Sequence, residues 1–397
     1  MTDTKYDVAI IGGGISGLSA LHYVKRDFPH LSVKLFESDN RLGGTIGTDH
    51  INGYSFDWGP NGFLDREPLT LELCEQLGLN SELERANNKV TNRFILRKNK
   101  LRSVPMSPPA FLTSDILPIS AKLRVMMEPF AKKRPEGIDE SIYDFVQRRI
   151  GTSAADFLVQ PMVSGVYGGI AKELSLKSCF PVMREMEDEY GSLFKAMIAK
   201  AKAAKAKGKK SGSPSGPGGW LTSFNGGLYR IIEQFYDRYK PDISCNKKAA
   251  SISKEDAVYS IEFGDGSKIE TQYVILATPS YVAADITLSL SDKLSNSLGA
   301  IPYAPISVIC LGYNRQQVSH DLEGFGFLVP QKENRKILGS IWTSSIFENR
   351  APDDKVQFRT MVGGDGDHDS IKLTDDELLA RVIKDMNDIV GLTGEPD

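Results

Sequence analysis

Residues 7–11, Asp-Val-Ala-Ile-Ile, form an apolar run that ends directly on Gly12-Gly13-Gly14-Ile15-Ser16-Gly17. Such a run suits a strand buried on both faces of a parallel sheet. Residues 18–24 then carry a helical pattern, and residues 33–37 form a second apolar run that closes on an acid, Glu37. Strand, glycine turn, helix, strand and terminal acid in this order constrain the chain to open with a βαβ crossover. Each glycine of the G-x-G-x-x-G register has its own task. Gly12 permits the tight turn, Gly14 lets a phosphate approach the backbone, and Gly17 lets helix and strand pack closely. The helix start, at Ile15 and Ser16, offers amide N–H groups and the positive end of the helix dipole to an anion. Glu37 stands where a ribose hydroxyl is held, and its charge disfavours a 2′-phosphate, so NADP does not suit this turn.

The residues after Glu37 separate two dinucleotides. Ser38 leads into Arg41-Leu42-Gly43-Gly44-Thr45, a second glycine turn whose amides would meet the same pyrophosphate, with Arg41 adding charge. A simple NAD site does not need that turn. Asp57-Trp58-Gly59-Pro60-Asn61-Gly62 supplies a third flexible stretch suited to run beneath a flavin. The cofactor expected from these segments is FAD.

Composition removes several other chemistries. At 397 residues the chain is expected to hold two or three domains. A formal net charge of -3 gives no electrostatic case for nucleic acid. Four dispersed cysteines form no CxxC pair and five scattered histidines show no ligand spacing, so no metal site is expected. The residues before the first strand are few and polar, and no apolar run approaches the roughly 20 needed to cross a bilayer. The expected location is the cytoplasm, with docking on a membrane surface left open. No nucleophile–base pair or carboxylate pair stands out, which suits a reaction carried by the cofactor, with no catalytic side chain assigned.

Seven segments carry a family likeness: G-G-G-I-S-G-L at 12–18, F-E-S-D-N-R-L-G-G-T at 36–45, G-P-N-G-F-L at 59–64, P-M-V-S-G-V-Y-G-G at 161–169, E-L-S-L-K-S-C-F-P at 173–181, F-N-G-G-L at 224–228 and G-F-G-F-L-V-P at 324–330. On these the chain resembles the flavoprotein superfamily of amine oxidases, phytoene desaturases and protoporphyrinogen oxidases, and within it the HemY-type protoporphyrinogen and coproporphyrinogen oxidases. The resemblance implies an α/β fold with an α+β substrate part. A Rossmann-like FAD domain (1–90 and 223–300) would interleave with a mixed-sheet substrate domain (91–102 and 301–397). A helical, membrane-facing subdomain would occupy 103–222, with a flexible basic loop at 195–219 whose lysine-rich first half reads as a helix end. It also implies that the Ala249 backbone lies near the adenine, that Arg93 pairs with a substrate propionate, that a side chain at Gly165 would crowd the macrocycle, and that Phe325 and Leu328 sandwich it.

By the same resemblance the substrate is a porphyrinogen, desaturated in three two-electron rounds in heme biosynthesis, with oxygen or another molecule as electron acceptor. Arg93 favours protoporphyrinogen IX, with coproporphyrinogen III as the alternative. An amine oxidase, a carotenoid desaturase and a non-catalytic flavoprotein remain as further readings. A homodimer and peripheral membrane contact stay open. Relatives continue past the position of Asp397 into a segment beside the flavin ring, so weak FAD binding and poor turnover are expected of these residues.

The rest reads as short strands at 306–312, 325–329, 337–342 and 358–363. A final helix is expected at 374–390, with Thr374 as N-cap, Glu377 completing a capping box and Gly391 just past its end. A weak strand is expected across 242–252 and a stronger one across 272–279, and the apolar stretch 111–130 reads as ordinary core, with a helical pair lining a substrate entrance or lying on a membrane as the alternative.

Overall fold

The computed structural model describes residues 4–134, 137–206 and 219–397. In chain order its principal strands are β1 (Thr4–Ile11), β2 (Val33–Phe36), β3 (Phe94–Arg97), β4 (Lys100–Ser103), β5 (Ile243–Ser244) and β6 (Ala249–Glu255). They continue with β7 (Val258–Phe263), β8 (Lys268–Leu276), β9 (Ile306–Asn314), β10 (Gly326–Leu328), β11 (Ile337–Trp342) and β12 (Lys355–Gly363). The chain divides into two compact units, each assembled from separated stretches. The first comprises Met1–His50, Ser55–Glu84 and Thr222–Tyr303, and the second Ile51–Tyr54, Arg85–Leu221 and Ala304–Asp397. The stretch expected as a separate helical subdomain, 103–222, therefore falls almost entirely with the second unit's sheet.

In the first unit the sheet order is β5-β2-β1-β8-β7-β6. β1 lies parallel to both β2 and β8, so it is buried on both sides. Its alternation splits between two cores. Val8 and Ile10 pack with Leu18 and Leu21 of the helix Ile15–Asp27, while Ala9 and Ile11 pack with Phe36, Ile252 and Phe263. An unbroken apolar run is what such a strand requires. The single strand expected over 242–252 is two pieces. β5 joins β2 in parallel, Asn246 turns the chain at φ 55°, and β6 pairs antiparallel with β7. A left-handed residue cannot continue a ladder, so the register is lost there.

The second unit is built on a sheet of order β9-β12-β11-β10-β3-β4, antiparallel except for the β10–β3 pair. One face packs Trp342, Phe358 and Val362 against Val382, Met386 and Val390 of the helix Asp375–Val390. That helix begins in a reciprocal capping box, in which Thr374 Oγ1 accepts from the Glu377 amide and the Glu377 carboxylate accepts from the Thr374 amide at 2.8 Å. It ends on Gly391 at φ 70°, as the sequence pattern predicts. β10 is shorter than the expected 325–329 and opens on Gly326, which adopts φ 128° with no room for a Cβ against Ser340 O.

The helical part of this unit surrounds its own core of Ile116, Phe145, Val146, Val163 and Leu176. The stretch 111–130 forms two short helices, Pro108–Thr113 and Ile119–Met126. The lysine-rich first half of the stretch 195–219 is the end of the helix Leu193–Ala206, as expected, and residues 207–218 lie outside the described residues.

Candidate cofactor and substrate sites

The Gly12–Gly17 turn is held open by contacts that exclude side chains. A Cβ on Gly12, which sits at φ 110°, would lie 2.6 Å from Ala277 O, and one on Gly17 would lie 1.9 Å from Gly12 O. Gly14 differs: a Cβ there meets nothing within 4 Å. It is the N-cap of the helix Ile15–Asp27, makes no side-chain cap, and no acid occupies the first turn. The amides at this helix start therefore face open space, the arrangement that accommodates an anion.

The space is a cavity of about 600 Å³. Of the residues expected at a cofactor, Gly12, Gly14, Ile15, Ser16, Glu37, Ser38, Gly44, Thr45 and Ala249 line it. Gly13, Gly17, Arg41 and the 59–62 stretch are not in its wall. Their positions show what they do instead. The Gly13 amide donates to Glu37 Oε2 at 2.6 Å, which ties the turn to the end of β2. Glu37 Oε1 accepts from Ser38 Oγ and the Asp39 amide, each at 2.9 Å. A carboxylate has about four acceptor positions, so these three bonds leave one for a ribose hydroxyl.

Arg41 braces its own turn, donating to the carbonyls of Leu42, Gly44 and Ile46 while its guanidinium lies over the Trp58 ring at 4.5 Å. Gly59 packs behind the same turn, where a Cβ would come within 1.5 Å of Thr45 O. Asn61 is buried, and its Nδ2 has no partner among the described residues. An orphaned buried donor is costly unless something bonds to it. The open helix start and the remaining Glu37 acceptor position fit a bound dinucleotide.

Sequence reasoning missed part of the wall. Lys247, Lys248, Thr278, Tyr281 and Val282 also line the cavity. Lys247 Nζ is held by Asp265 at 2.5 Å and Ser267 at 3.0 Å. Their only sequence signal is adjacency to Ala249 and to the end of β8, since the stretches meet only after the sheet assembles. Beside them Cys245 is raised above its ordinary value, by burial first and then by the Glu37 charge.

The residues expected at a substrate lie in the second unit and fall into two contacts. The Arg93 guanidinium sits over the Phe325 ring at 4.8 Å, and burial draws it below its ordinary value. Neighbouring backbone joins them, since the Phe325 amide donates to Asn92 O at 2.8 Å. Gly165, on the helix Gln160–Tyr167, faces Leu328: a Cβ there would lie 2.6 Å from Leu328 Cδ2. That helix continues a π-helical turn, Ala155–Val159, a local irregularity often found at functional sites. Among the described residues no group of His, Cys, Asp and Glu is arranged to hold a metal, and no helix is long and apolar enough to cross a membrane.

A parallel-stranded βαβ unit with a glycine turn opening on a cavity, joined to a second unit with a mixed sheet, defines an FAD-dependent oxidoreductase. The description "Flavin containing amine oxidoreductase" matches residues 15–397, and the chain belongs to that family. It is 30% identical to protoporphyrinogen oxidase 2 of Arabidopsis thaliana, over 98% of this chain and 81% of that one. It is 28% identical to the coproporphyrinogen III oxidase of Bacillus subtilis, over 100% of this chain and 86% of that one. A crystal structure from Exiguobacterium sp. 255-15, provisionally assigned as a protoporphyrinogen oxidase, superposes with a TM-score of 0.85 at 25% identity. It is covered to 85%, and the whole of this chain is matched.

Proposed function

We propose that the chain oxidises protoporphyrinogen IX to protoporphyrin IX in heme biosynthesis, with dioxygen as the electron acceptor. The observation that carries this is the Arg93–Phe325 contact, three residues along the chain from the Leu328 that packs on Gly165, in a chain similar over nearly its whole length to oxidases of porphyrinogens. An apolar wall with one guanidinium suits a bulky ring that carries carboxylates along one edge. Gly12, Gly14 and the Ile15–Ser16 amides would hold the cofactor pyrophosphate, Glu37 a ribose hydroxyl, and Ala249 the adenine edge. Gly13, Gly17, Arg41 and 59–62 would support that wall from behind. When bound, FAD supplies a two-electron acceptor. The residues of this chain orient the substrate: Arg93 fixes a carboxylate, and Gly165, having no side chain, lets Leu328 seat against its helix instead of being pushed toward the ring. Full desaturation takes three such two-electron rounds, and the two electrons and two protons that the substrate loses in each are taken up by dioxygen as hydrogen peroxide.

The reading places the protein in the cytoplasm. Exposed Ile119, Met127 and Phe130 support peripheral contact with a membrane, and a liposome sedimentation assay tests that contact. For the substrate, the FAD-loaded protein is given protoporphyrinogen IX and coproporphyrinogen III, and porphyrin fluorescence is followed. Faster turnover of protoporphyrinogen is expected, and Arg93→Ala is expected to raise its KM about tenfold with less change in kcat. A clear preference for coproporphyrinogen overturns the substrate choice, and no porphyrin from either overturns the reading.

A further inference from the structure

The hairpin that carries Arg93 holds two more arginines. β3 and β4 pair Phe94 with Ser103, Ile95 with Arg102 and Leu96 with Leu101. Phe94, Leu96 and Leu101 face the sheet core, so by alternation Arg93, Arg97 and Arg102 share the opposite face. The Val104 amide donates to Arg93 O at 2.7 Å, which sets Arg93 diagonal to Arg102 across the ladder. Diagonal neighbours of this kind lie roughly 7–8 Å apart, within reach of two carboxylate arms on one edge of a macrocycle.

Arg97 is committed. It pairs with the largely buried Glu333 at 2.9 Å, donates to Ile116 O and covers the Phe157 ring at 3.8 Å. Arg102 is held differently. Its carboxylate partner is Asp115 at 2.8 Å, in a pair whose side chains are 33% and 59% exposed. Ion pairs that open to water contribute about 0–1 kcal/mol, so another carboxylate exchanges for Asp115 at little cost. The Arg102 Nε–H has no partner among the described residues. Arg102 and Asp115 line a cavity of about 540 Å³ together with Ser107, with Val104 and Met106 as apolar wall. A charged, hydroxyl-bearing edge on an apolar floor suits an apolar ring with an anionic arm.

We propose that Arg102 is a second carboxylate-binding residue, occupied by Asp115 until a carboxylate arm of the porphyrinogen displaces it. This rests on the proposed porphyrinogen oxidation. The test uses equilibrium binding of protoporphyrin IX and of its dimethyl ester, read by porphyrin fluorescence on the FAD-loaded protein. Arg102→Gln is expected to weaken the diacid about fivefold and to leave the ester unchanged. Asp115→Asn is expected to tighten the diacid up to about fivefold, again without effect on the ester. Both differences shrink in high salt. Equal weakening of acid and ester by Arg102→Gln, or no change in either variant while the wild type binds the diacid, overturns the assignment of Arg102 alone. A wild type that binds neither porphyrin and forms none from either porphyrinogen overturns the porphyrinogen reading, and this assignment with it.

Discussion

At the scale of single residues, glycines that look alike in sequence separate by what surrounds them. Gly17 and Gly14 both belong to the opening fingerprint, yet a Cβ on Gly17 strikes backbone and one on Gly14 enters empty space. Gly17→Ala must therefore push the helix Ile15–Asp27 off β1 and cost roughly 2–4 kcal/mol in the flavin-free protein. Gly14→Ala keeps an allowed conformation, with φ at -71°, and costs only about 0.5–1 kcal/mol as a poorer N-cap. If the cavity holds the cofactor pyrophosphate against Gly14, the ranking reverses for binding. Gly14→Ala then folds but copurifies with little flavin, read by absorbance against thermal melts of the flavin-free forms. A Gly14→Ala protein as yellow as the wild type would remove Gly14 from the cofactor site. The register was legible in sequence because turn, helix start and acid lie within one βαβ unit. Which glycines face outward was not, since that depends on Ala277 and on the turn that carries Gly44.

Among the elements, the least legible feature is a buried ion network that joins several helices. Glu128 and Arg149 are fully buried and bonded to each other through Oε1, with the Arg149 Nε contact at 2.8 Å. Glu128 also accepts from Ser192 Oγ at 2.6 Å and from the Leu193 and Phe194 amides, so it caps the helix Leu193–Ala206 from a distant stretch of chain. No local pattern announces this. Sequence reveals a cap when it lies three residues from its helix, as Thr374 and Glu377 do, and hides one that arrives 65 positions away. Burial raises the Glu128 carboxyl, but the Ser192 hydroxyl, the two amides and Arg149 outweigh it, and it sits below its ordinary 4.5. A carboxyl depressed in the folded state stabilises fully above its unfolded value, and that stabilisation is lost as pH falls through the folded one. Thermal melts should therefore decline below about pH 4.5. Glu128→Gln should cost about 3 kcal/mol at neutral pH and flatten that decline, because Arg149 is left buried with one ion partner fewer. Parallel acid profiles for both proteins would show that Glu128 is not the group responsible.

For the whole molecule, the decisive fact is that the candidate cofactor cavity is discontinuous in sequence. Its wall comes from the β1–helix turn, the stretch after β2, the residues just before β6 and the turn after β8. β8 reaches β1 only after more than two hundred intervening residues, and it pairs in register from Thr4↔Ile269 to Ile11↔Leu276. A ligand that binds only this assembled wall stabilises the assembly by mass action, by about 2.7 kcal/mol when present at a hundred times its Kd. The stabilisation should be confined to segments that must come together to make the site. Hydrogen exchange with and without added FAD reads this directly. Amides at 12–17, 43–46 and 277–283 are expected to slow together, because opening any one of them releases the ligand. The helix Asp375–Val390, capped and packed on its own sheet, should exchange at the same rate in both states. Slowing confined to 12–17 would mean that the glycine turn binds without the rest of the wall. The three stretches would then be neighbours in the fold but not one site. Coordinated slowing means that binding energy is spent on holding together stretches far apart in the chain, which ties the opening turn to the strand that returns beside it.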